Sequence, residues 1–256
     1  EDLKKNKILI KKYEKIDFIK IALLSSVGIT NLWVYKTLRV AVVSSGNELI
    51  KSGKKIKDHQ VYDSNKYQII HFLKKFNISV HDLGILKDDE IKVDKFYKKN
   101  QNKFDIIISS GGSSFSSKDY ISSFLSQNTE LLFKYVRIQP GRPVIFSKLK
   151  FNYYFSLPGN PLAVFTNLFF LVSLFIDPSR KDNSSITKFY QSGFSENKKS
   201  NLTKFYRVKL SKNILYTHNS KGSAKLISLS EADGLAFVPE GNDKIKKGEK
   251  IRFIEF

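Results

Sequence analysis

The sequence FDIIISSGGSS, residues 104–114, indicates the fold class of this chain most clearly. An apolar run rich in isoleucine is followed at once by serine and glycine, a pattern typical of a buried strand that opens into a loop at its carboxyl end. The stretch VAVVSSGNE, residues 40–48, has the same pattern. Two such strands predict a parallel sheet, because the strands of a parallel sheet are covered on both faces and are therefore apolar throughout.

Helical patterns separate the predicted strands. Asp63, Ser64 and Asn65 form a cluster suited to the start of a helix, and apolar residues then recur with helical spacing. Further strands are expected at residues 78–86, 136–146 and 153–157, and further helices at 88–100, from 119 onwards and at 161–176. This alternation predicts an α/β domain at residues 38–180, with a mainly parallel sheet and helices on both faces.

The amino-acid composition and the hydrophobic pattern change after residue 180. Residues 184–200 are rich in serine, asparagine and lysine, and we interpret them as a linker. Short segments with strand-like alternation follow at residues 205–210, 224–227, 235–238 and 251–256. Residues 181–256 are therefore expected to form a small all-β domain.

The composition narrows the possible functions. The formal net charge is +20, which first suggests a nucleic-acid-binding protein. The lysines form scattered clusters instead of one stripe interleaved with aromatic residues, so we expect no nucleic acid and favour an anionic small molecule. The chain has no cysteine, which excludes disulfides and thiolate metal sites.

No feature of the sequence indicates a membrane protein. The first residues are polar and charged, unlike a secretory signal peptide. The most apolar stretch, residues 161–176, is shorter than the roughly 20 residues that a membrane span needs. We therefore expect a soluble, cytoplasmic protein and interpret this stretch as a buried helix.

Four loops are predicted to meet at one edge of the parallel sheet, where such folds bind their ligands: residues 44–48, 62–65, 109–119 and 157–160. Gly111 and Gly112 would let backbone N–H groups approach an anion, although an ordinary tight turn would also account for them. Gly159, Asn160 and Pro161 form a strand-to-helix corner that needs no function of its own.

Three acidic residues fall in these loops. Glu48, Asp63 and Asp119 are candidates for holding Mg²⁺ or positioning water beside phosphate groups. Helix capping is the alternative for Asp63 and Asp119. Arg142, between Gly141 and Pro143, is a cation on a stiff backbone that suits an oxyanion, and the alternative is an exposed edge strand.

The order of these motifs resembles that of the molybdopterin molybdenumtransferases, a family that includes the C-terminal domain of gephyrin-type proteins. Five segments carry the resemblance, and the turns ADGL at residues 232–235 and PEG at 239–241 extend it. The segments and the family patterns that they resemble are SSGNEL at 44–49 (STGDEL), VYDSN at 61–65 (IYD[ST]N), SGGSSFSSKDY at 110–120 (SGGVSVGxxDY), QPGRP at 139–143 (KPGKP) and LPGNP at 157–161 (LPGNP).

The resemblance implies a molybdopterin-binding α/β domain followed by a small C-terminal β-barrel domain, with residues 1–37 the remnant of an N-terminal region. It also implies an enzyme that binds adenylated molybdopterin, molybdate and Mg²⁺, releases AMP and inserts molybdenum, and that is a homodimer in its full-length form.

By motif position, the resemblance implies catalytic roles for Glu48, Asp63 and Asp119, with Glu48 and Asp119 as metal ligands. It implies substrate contacts for a larger set of residues in the same loops. That set is Ser45, Gly46, Ser110, Gly111, Gly112, Ser114, Arg137, Arg142, Pro158, Gly159 and Asn160.

Three positions depart from the family pattern. Asn47 stands where the family has aspartate, Ser116 replaces a glycine, and Gln139 replaces a lysine whose charge Arg137 is expected to restore. Two alternatives share the predicted fold. One is a molybdopterin adenylyltransferase, against which the β domain and the PGRP segment argue; the other is a non-catalytic molybdopterin-binding module.

Overall fold

The computed structural model describes residues 6–111, 119–177, 179, 186–198, 200–217 and 226–256. Within these ranges an α/β domain is followed by a β-barrel domain. The helices are α1 (Phe18–Ser26), α2 (Asn65–Leu73), α3 (Glu90–Asn100), α4 (Tyr120–Asn128), α5 (Pro161–Asn167), α6 (Ser173–Ile176) and α7 (Leu226–Ser230), with a π-helical segment, Leu168–Val172, between α5 and α6.

The strands of the α/β domain are β1 (Arg39–Ser45), β2 (Leu49–Ile50), β3 (Val61–Tyr62), β4 (Ser79–Leu86), β5 (Ile106–Ser110), β6 (Glu130–Tyr135), β7 (Ile138–Gln139), β8 (Pro143–Leu149) and β9 (Asn152–Leu157). Six of them form one sheet in the order β4-β1-β5-β9-β8-β6. Neighbours from β4 to β9 are parallel, whereas β8 and β6 are antiparallel to the strands beside them. The predicted parallel-rich α/β fold is confirmed.

The two faces of this sheet are covered by different helices, as the alternation of side chains along a strand requires. Val40 and Val42 of β1 pack in a core with residues of α2, α5 and α6. Ala41 and Val43, on the opposite face, pack with residues of α3 and α4. All four side chains are fully buried, which accounts for the apolar character of β1 along its length.

The strands of the second domain are β10 (Lys188–Ser192), β11 (Glu196–Asn197), β12 (Thr203–Ser211), β13 (Ile214–Thr217), β14 (Gly234–Val238), β15 (Lys244–Ile245) and β16 (Lys250–Glu255). Five of them run in the order β13-β10-β16-β14-β12, and a further pairing of β12 with β13 closes the barrel. Its interior is apolar, with Phe253 and Val208 fully buried.

The two domains share a cluster of apolar side chains. Leu162 of α5 and Phe170 of the π-helical segment pack in one core with Phe205, Leu235 and Ile254 of the barrel. The long apolar stretch at residues 161–176 is therefore a buried helical run, as predicted, with one side on the sheet and another on the barrel. No helix in the described ranges has the length and apolar character needed to cross a membrane.

Several predicted elements were wrong. The supposed linker at residues 184–200 contains β10 and β11, whose residues are mostly polar or exposed and so lack the apolar pattern of a buried strand. The strand expected at 224–227 is not observed: Leu226 and Ile227 begin α7, and 224–225 lie outside the described residues. Strand β6 was missed, and the extended segment at 136–146 is interrupted by a turn between β7 and β8.

Candidate functional site

The carboxyl ends of β1, β5 and β9 lie side by side. Ser44 is level with Ser110, and Ser110 is level with Leu157. The loops that leave these three strands therefore begin at one edge of the sheet, as the sequence predicted. Three serines at these strand ends are buried, so the first polar residues of the edge lie inside the fold: Ser44, Ser45 and Ser110.

Gly111 permits a close approach between two of these loops. Its φ of +85° lies in the left-handed region, and its N–H donates to the carbonyl oxygen of Leu157 at 3.0 Å. A Cβ at this position would lie 2.3 Å from the carbonyl oxygen of Ser45, so only glycine fits. Gly112 and Ser114, predicted to bind substrate, and the departure at Ser116 lie outside the described residues.

Asp63 is buried beneath the edge, with a relative exposure of 1%. Its Oδ1 accepts hydrogen bonds from Ser44 Oγ at 2.9 Å and from the Lys66 N–H at 3.2 Å. Its Oδ2 lies 3.6 Å from Lys66 Nζ and has no hydrogen-bond partner among the described residues. Asp63 therefore stabilises the start of α2, which is the capping role considered as an alternative from the sequence. The same side chain also contacts the end of β1, so it lies at the edge where the loops meet.

Lys66 was missed by the sequence analysis. Its side chain is buried, and Nζ lies within 3.6 Å of Asp63 and 3.3 Å of Asp82. A buried ammonium group needs nearby anions to offset its desolvation. The only sequence signal was its position three residues after Asp63, since that spacing places the two side chains together at the start of a helix.

Asp119 caps helix α4 with one carboxylate oxygen, and its other carboxylate oxygen takes no part in the cap. Oδ1 accepts a hydrogen bond from the Ser122 N–H at 2.9 Å, whereas Oδ2 is buried without a hydrogen-bond partner in the described part of the chain. Burial raises the pKa of Asp119 to about 6, although the Ser122 N–H and the charge of Lys134 oppose this shift. The negative charge of Asp88 adds to the increase in pKa.

Asp88 is a fourth acidic residue at this edge, which the sequence analysis assigned only to the start of a helix. It accepts hydrogen bonds from Ser45 Oγ at 2.9 Å and from the Asn47 N–H at 3.2 Å. Asn47 Oδ1 in turn accepts a hydrogen bond from the Asp88 N–H at 3.2 Å. The signal was present in the sequence, because Asp88 follows β4 and the carboxyl end of β4 shares the edge with β1.

Glu48 is the most open of the acidic residues. It is exposed, and its carboxylate has no hydrogen-bond or ion-pair partner among the described residues. The carboxylate lies over Gly46, where a Cβ would come within 2.7 Å of Oε1. Glu48 can therefore bind a ligand in front of the β1 loop.

The loop after β9 is tied to the other loops by Asn65. The Asn65 side chain donates hydrogen bonds to Ser110 Oγ at 2.9 Å and to the Gly159 carbonyl oxygen at 2.7 Å. Asn160 caps α5 by accepting a hydrogen bond from the Leu162 N–H at 3.0 Å. Pro158 is buried and Gly159 is exposed, so of these two predicted residues only Gly159 is open to solvent.

Arg142 lies at the same edge because β8, which follows it, runs antiparallel to β9. The pairing of Ile145 with Ser156 brings the start of β8 beside the end of β9. Arg142 is exposed, and its guanidinium has no partner in the described ranges. Arg137 has other partners than expected: Nε lies 2.7 Å from Glu240 and Nη2 donates to the Asn201 carbonyl oxygen at 3.0 Å.

This edge can bind an anion together with a cation that the anion brings. Across the described ranges, no group of three or more His, Cys, Asp or Glu side chains is arranged to hold a metal ion by itself. Mg²⁺ is commonly held by one or two carboxylates together with substrate phosphates. Asp119 Oδ2 and the Glu48 carboxylate have no partner among the described residues, and they are the oxygen atoms that such a shared site would use.

Two family models match this chain. The model described as "Probable molybdopterin binding domain" matches residues 41–177, and that described as "MoeA C-terminal region (domain IV)" matches residues 191–256. The first covers the α/β domain with its edge loops, and the second covers the barrel.

Known proteins show the same likeness. The chain is 33% identical over 172 residues to the molybdopterin molybdenumtransferase of Haemophilus influenzae, covering 67% of this chain and 43% of that protein. It is 26% identical over 257 residues to that of Nostoc, covering 94% and 58%. A solved MoeA protein from Pyrococcus horikoshii superposes with a TM-score of 0.79 at 28% identity, covering 96% of this chain and 61% of that one. The chain thus spans about half the length of the curated relatives that it matches.

Proposed function

Since the chain belongs to the family of the molybdopterin-binding domain and is MoeA-like in carrying the MoeA C-terminal region, we propose that it acts in molybdenum cofactor biosynthesis as a molybdopterin molybdenumtransferase. In the proposed reaction, adenylated molybdopterin and molybdate bind at the edge of the sheet. Hydrolysis of the pyrophosphate bond by water releases AMP, and the two dithiolene sulfurs of molybdopterin replace oxygen ligands of molybdate, which leave as water with the thiol protons.

One observation supports this proposal most: Asp63, Asp88 and Glu48 contact the end of β1 or the loop after it, and the charge of Asp88 acts on Asp119. The guanidinium of Arg142, beside the end of β9, has no partner in the described ranges. The substrate carries several phosphate charges, and molybdate brings two more. Bringing these anions together is the main electrostatic difficulty of the reaction. Positioned cations and N–H groups would lower that barrier without covalent catalysis.

Individual residues have distinct proposed tasks. Arg142 would bind a phosphate of adenylated molybdopterin, and Asn65 would keep the Ser110 and Gly159 loops at a fixed separation. Glu48 and Asp119 would hold Mg²⁺ together with the substrate phosphates. When bound, Mg²⁺ would offset the negative charge that collects there. Asp63, fixed by Ser44 and Lys66, would accept a hydrogen bond from the substrate or from water.

The proposal extends to the full-length protein, for which we expect a homodimer. It is tested by incubating the chain with adenylated molybdopterin, Mg²⁺ and molybdate, and measuring both AMP release and reconstitution of a cofactor-free molybdoenzyme. Molybdate-dependent AMP release with reconstitution is the expected result. Tight substrate binding without AMP release would instead identify a non-catalytic binding module, and failure to bind would contradict the proposal altogether.

A further inference from the structure

The backbone that carries Arg142 is attached to the barrel domain. We call residues 137–142 the arginine turn. The Arg137 guanidinium pairs with Glu240 at 2.7 Å and donates to the Asn201 carbonyl oxygen at 3.0 Å, and both partners belong to the barrel domain. The Arg137 carbonyl oxygen accepts a hydrogen bond from the Thr203 N–H at 2.9 Å. Residue 137 is therefore held through its side chain and its backbone at once.

The next residues of the arginine turn extend the sheet of the barrel. Strand β7 pairs in parallel with β12, with Ile138 opposite Thr203 and Gln139 opposite Lys204. Ser200 Oγ also donates to Gln139 Oε1 at 2.9 Å. Gln139, which stands in place of the family lysine, is thus engaged with the barrel domain.

The other end of the arginine turn is fixed by the α/β domain. Asn167 of α5 is fully buried, and its Nδ2 donates to the Gly141 carbonyl oxygen at 3.0 Å. Gly141 has a φ of +113°, and a Cβ there would lie 2.8 Å from Asn167 Nδ2. The Val136 N–H closes the turn on the Arg142 carbonyl oxygen at 3.1 Å.

The two arginines of the turn differ in their contacts. The charge of Arg137 is paired with Glu240, whereas the guanidinium of Arg142 has no partner in the described part of the chain. We propose that the Arg137–Glu240 pair, which we call the latch, is the contact by which the barrel domain positions Arg142 at the sheet edge formed by the carboxyl ends of β1, β5 and β9. Arg137 and Glu240 are then positioning residues for binding of the anionic substrate.

This inference rests on the proposed function, since it assigns the latch to that site. The latch is solvent-exposed, with relative side-chain exposures of 62% for Arg137 and 44% for Glu240. Exposed ion pairs have small effects, so removing this one should raise the KM for adenylated molybdopterin by about two- to five-fold. The kcat should change less, because a misplaced Arg142 weakens binding in the ground state and the transition state alike.

The kinetic experiment is a double-mutant cycle of Glu240→Gln and Arg142→Gln, with KM and kcat measured from AMP release. If the latch acts through Arg142, Glu240→Gln raises KM in the wild-type background and has no further effect when Arg142 is already replaced. An equal rise in both backgrounds overturns the inference, because the effect would then not pass through Arg142.

A second readout does not depend on activity. Hydrogen–deuterium exchange in the intact chain should become faster at residues 136–142 in Glu240→Gln, because opening of the turn exposes its amides. The matched control is Glu255→Gln, which removes another exposed 2.7 Å pair, with Lys188, within the barrel domain, and should leave this segment unchanged.

The two readouts separate the latch from the proposed function. Unchanged exchange at residues 136–142 in Glu240→Gln overturns the latch even if the wild-type chain releases AMP. Absence of AMP release from the wild-type chain contradicts the proposed function, while faster exchange still supports the structural half of the latch.

Discussion

Asp119 has one carboxylate oxygen on the Ser122 N–H and a second, buried oxygen without a hydrogen-bond partner in the described residues. Burial raises its pKa from 3.8 to about 6, so in the folded chain the carboxyl group stays protonated up to a higher pH than that of an exposed aspartate. A folded-state pKa above the unfolded value means that the native state binds the proton more tightly. The stabilisation from this proton is complete below pH 3.8 and is lost as the pH rises through about 6.

The raised pKa of Asp119 predicts the effect of Asp119→Asn on stability. Asparagine can keep the cap on Ser122 but cannot carry the buried charge. The melting temperature should equal that of the wild type near pH 4 and exceed it by about 2–6 °C at pH 7. Thermal unfolding at the two pH values measures the difference. A variant that melts well below the wild type at both would mean that the carboxylate is needed chiefly as a cap.

Gly111 allows an equally local prediction. In Gly111→Ala, a methyl group would meet the Ser45 carbonyl oxygen at 2.3 Å on a backbone with a φ of +85°. We expect a loss of about 2 kcal/mol or more in the free energy of unfolding, from steric overlap and backbone strain together. Gly159→Ala is the matched control, since nothing lies within 4 Å of a Cβ there and its φ is not in the strained region. Equal stability of the two variants would contradict this interpretation.

The junction of β1 and α2 depends on a buried charge pair. Lys66 neutralises Asp63 inside the fold, with Asp82 as a second, more exposed partner. Lys66→Met should destabilise the chain by about 3 kcal/mol, because it leaves the Asp63 carboxylate buried and uncompensated. Denaturant unfolding measures this loss.

Two further variants make the interpretation of Lys66 specific. Adding Asp63→Asn to Lys66→Met should recover most of the lost stability, since no buried charge then remains at this junction. Lys92→Met removes an exposed pair with Asp89 and should change the stability by less than about 0.5 kcal/mol. If the double variant is no more stable than Lys66→Met alone, desolvation of Asp63 is not the cause.

The elements that the sequence predicted well are those whose burial is extreme. Strands β1 and β5 are apolar along most of their length because both faces are covered, and the serines and glycine that end each apolar run marked the strand-to-loop boundary. Strand β6 is largely exposed, so its pattern lacks this constraint. The segment that begins α7 was mistaken for a strand because a short apolar run does not distinguish the two structures.

The part of the site that could be predicted from the sequence is the part that the order and direction of the parallel strands determine. Ser45, Gly111 and Leu157 meet because their strands are neighbours and run in the same direction. The partners of Arg137 were not predictable. Glu240 lies 103 residues away in another domain, and no local pattern specifies how two domains pack. The expected substrate roles of the edge residues, including those of Gly112 and Ser114, stay predictions.

We propose that the acidic residues at the sheet edge act in the reaction and do more than shape a binding site. The most direct test compares wild type and Asp119→Asn in two assays: binding of adenylated molybdopterin, and molybdate-dependent AMP release. We predict that the variant binds within about three-fold of the wild type but releases AMP at least about 100-fold more slowly, because the interaction lost is one that counts mainly in the transition state. Undiminished AMP release by Asp119→Asn would show that the Asp119 carboxylate takes no part in the reaction.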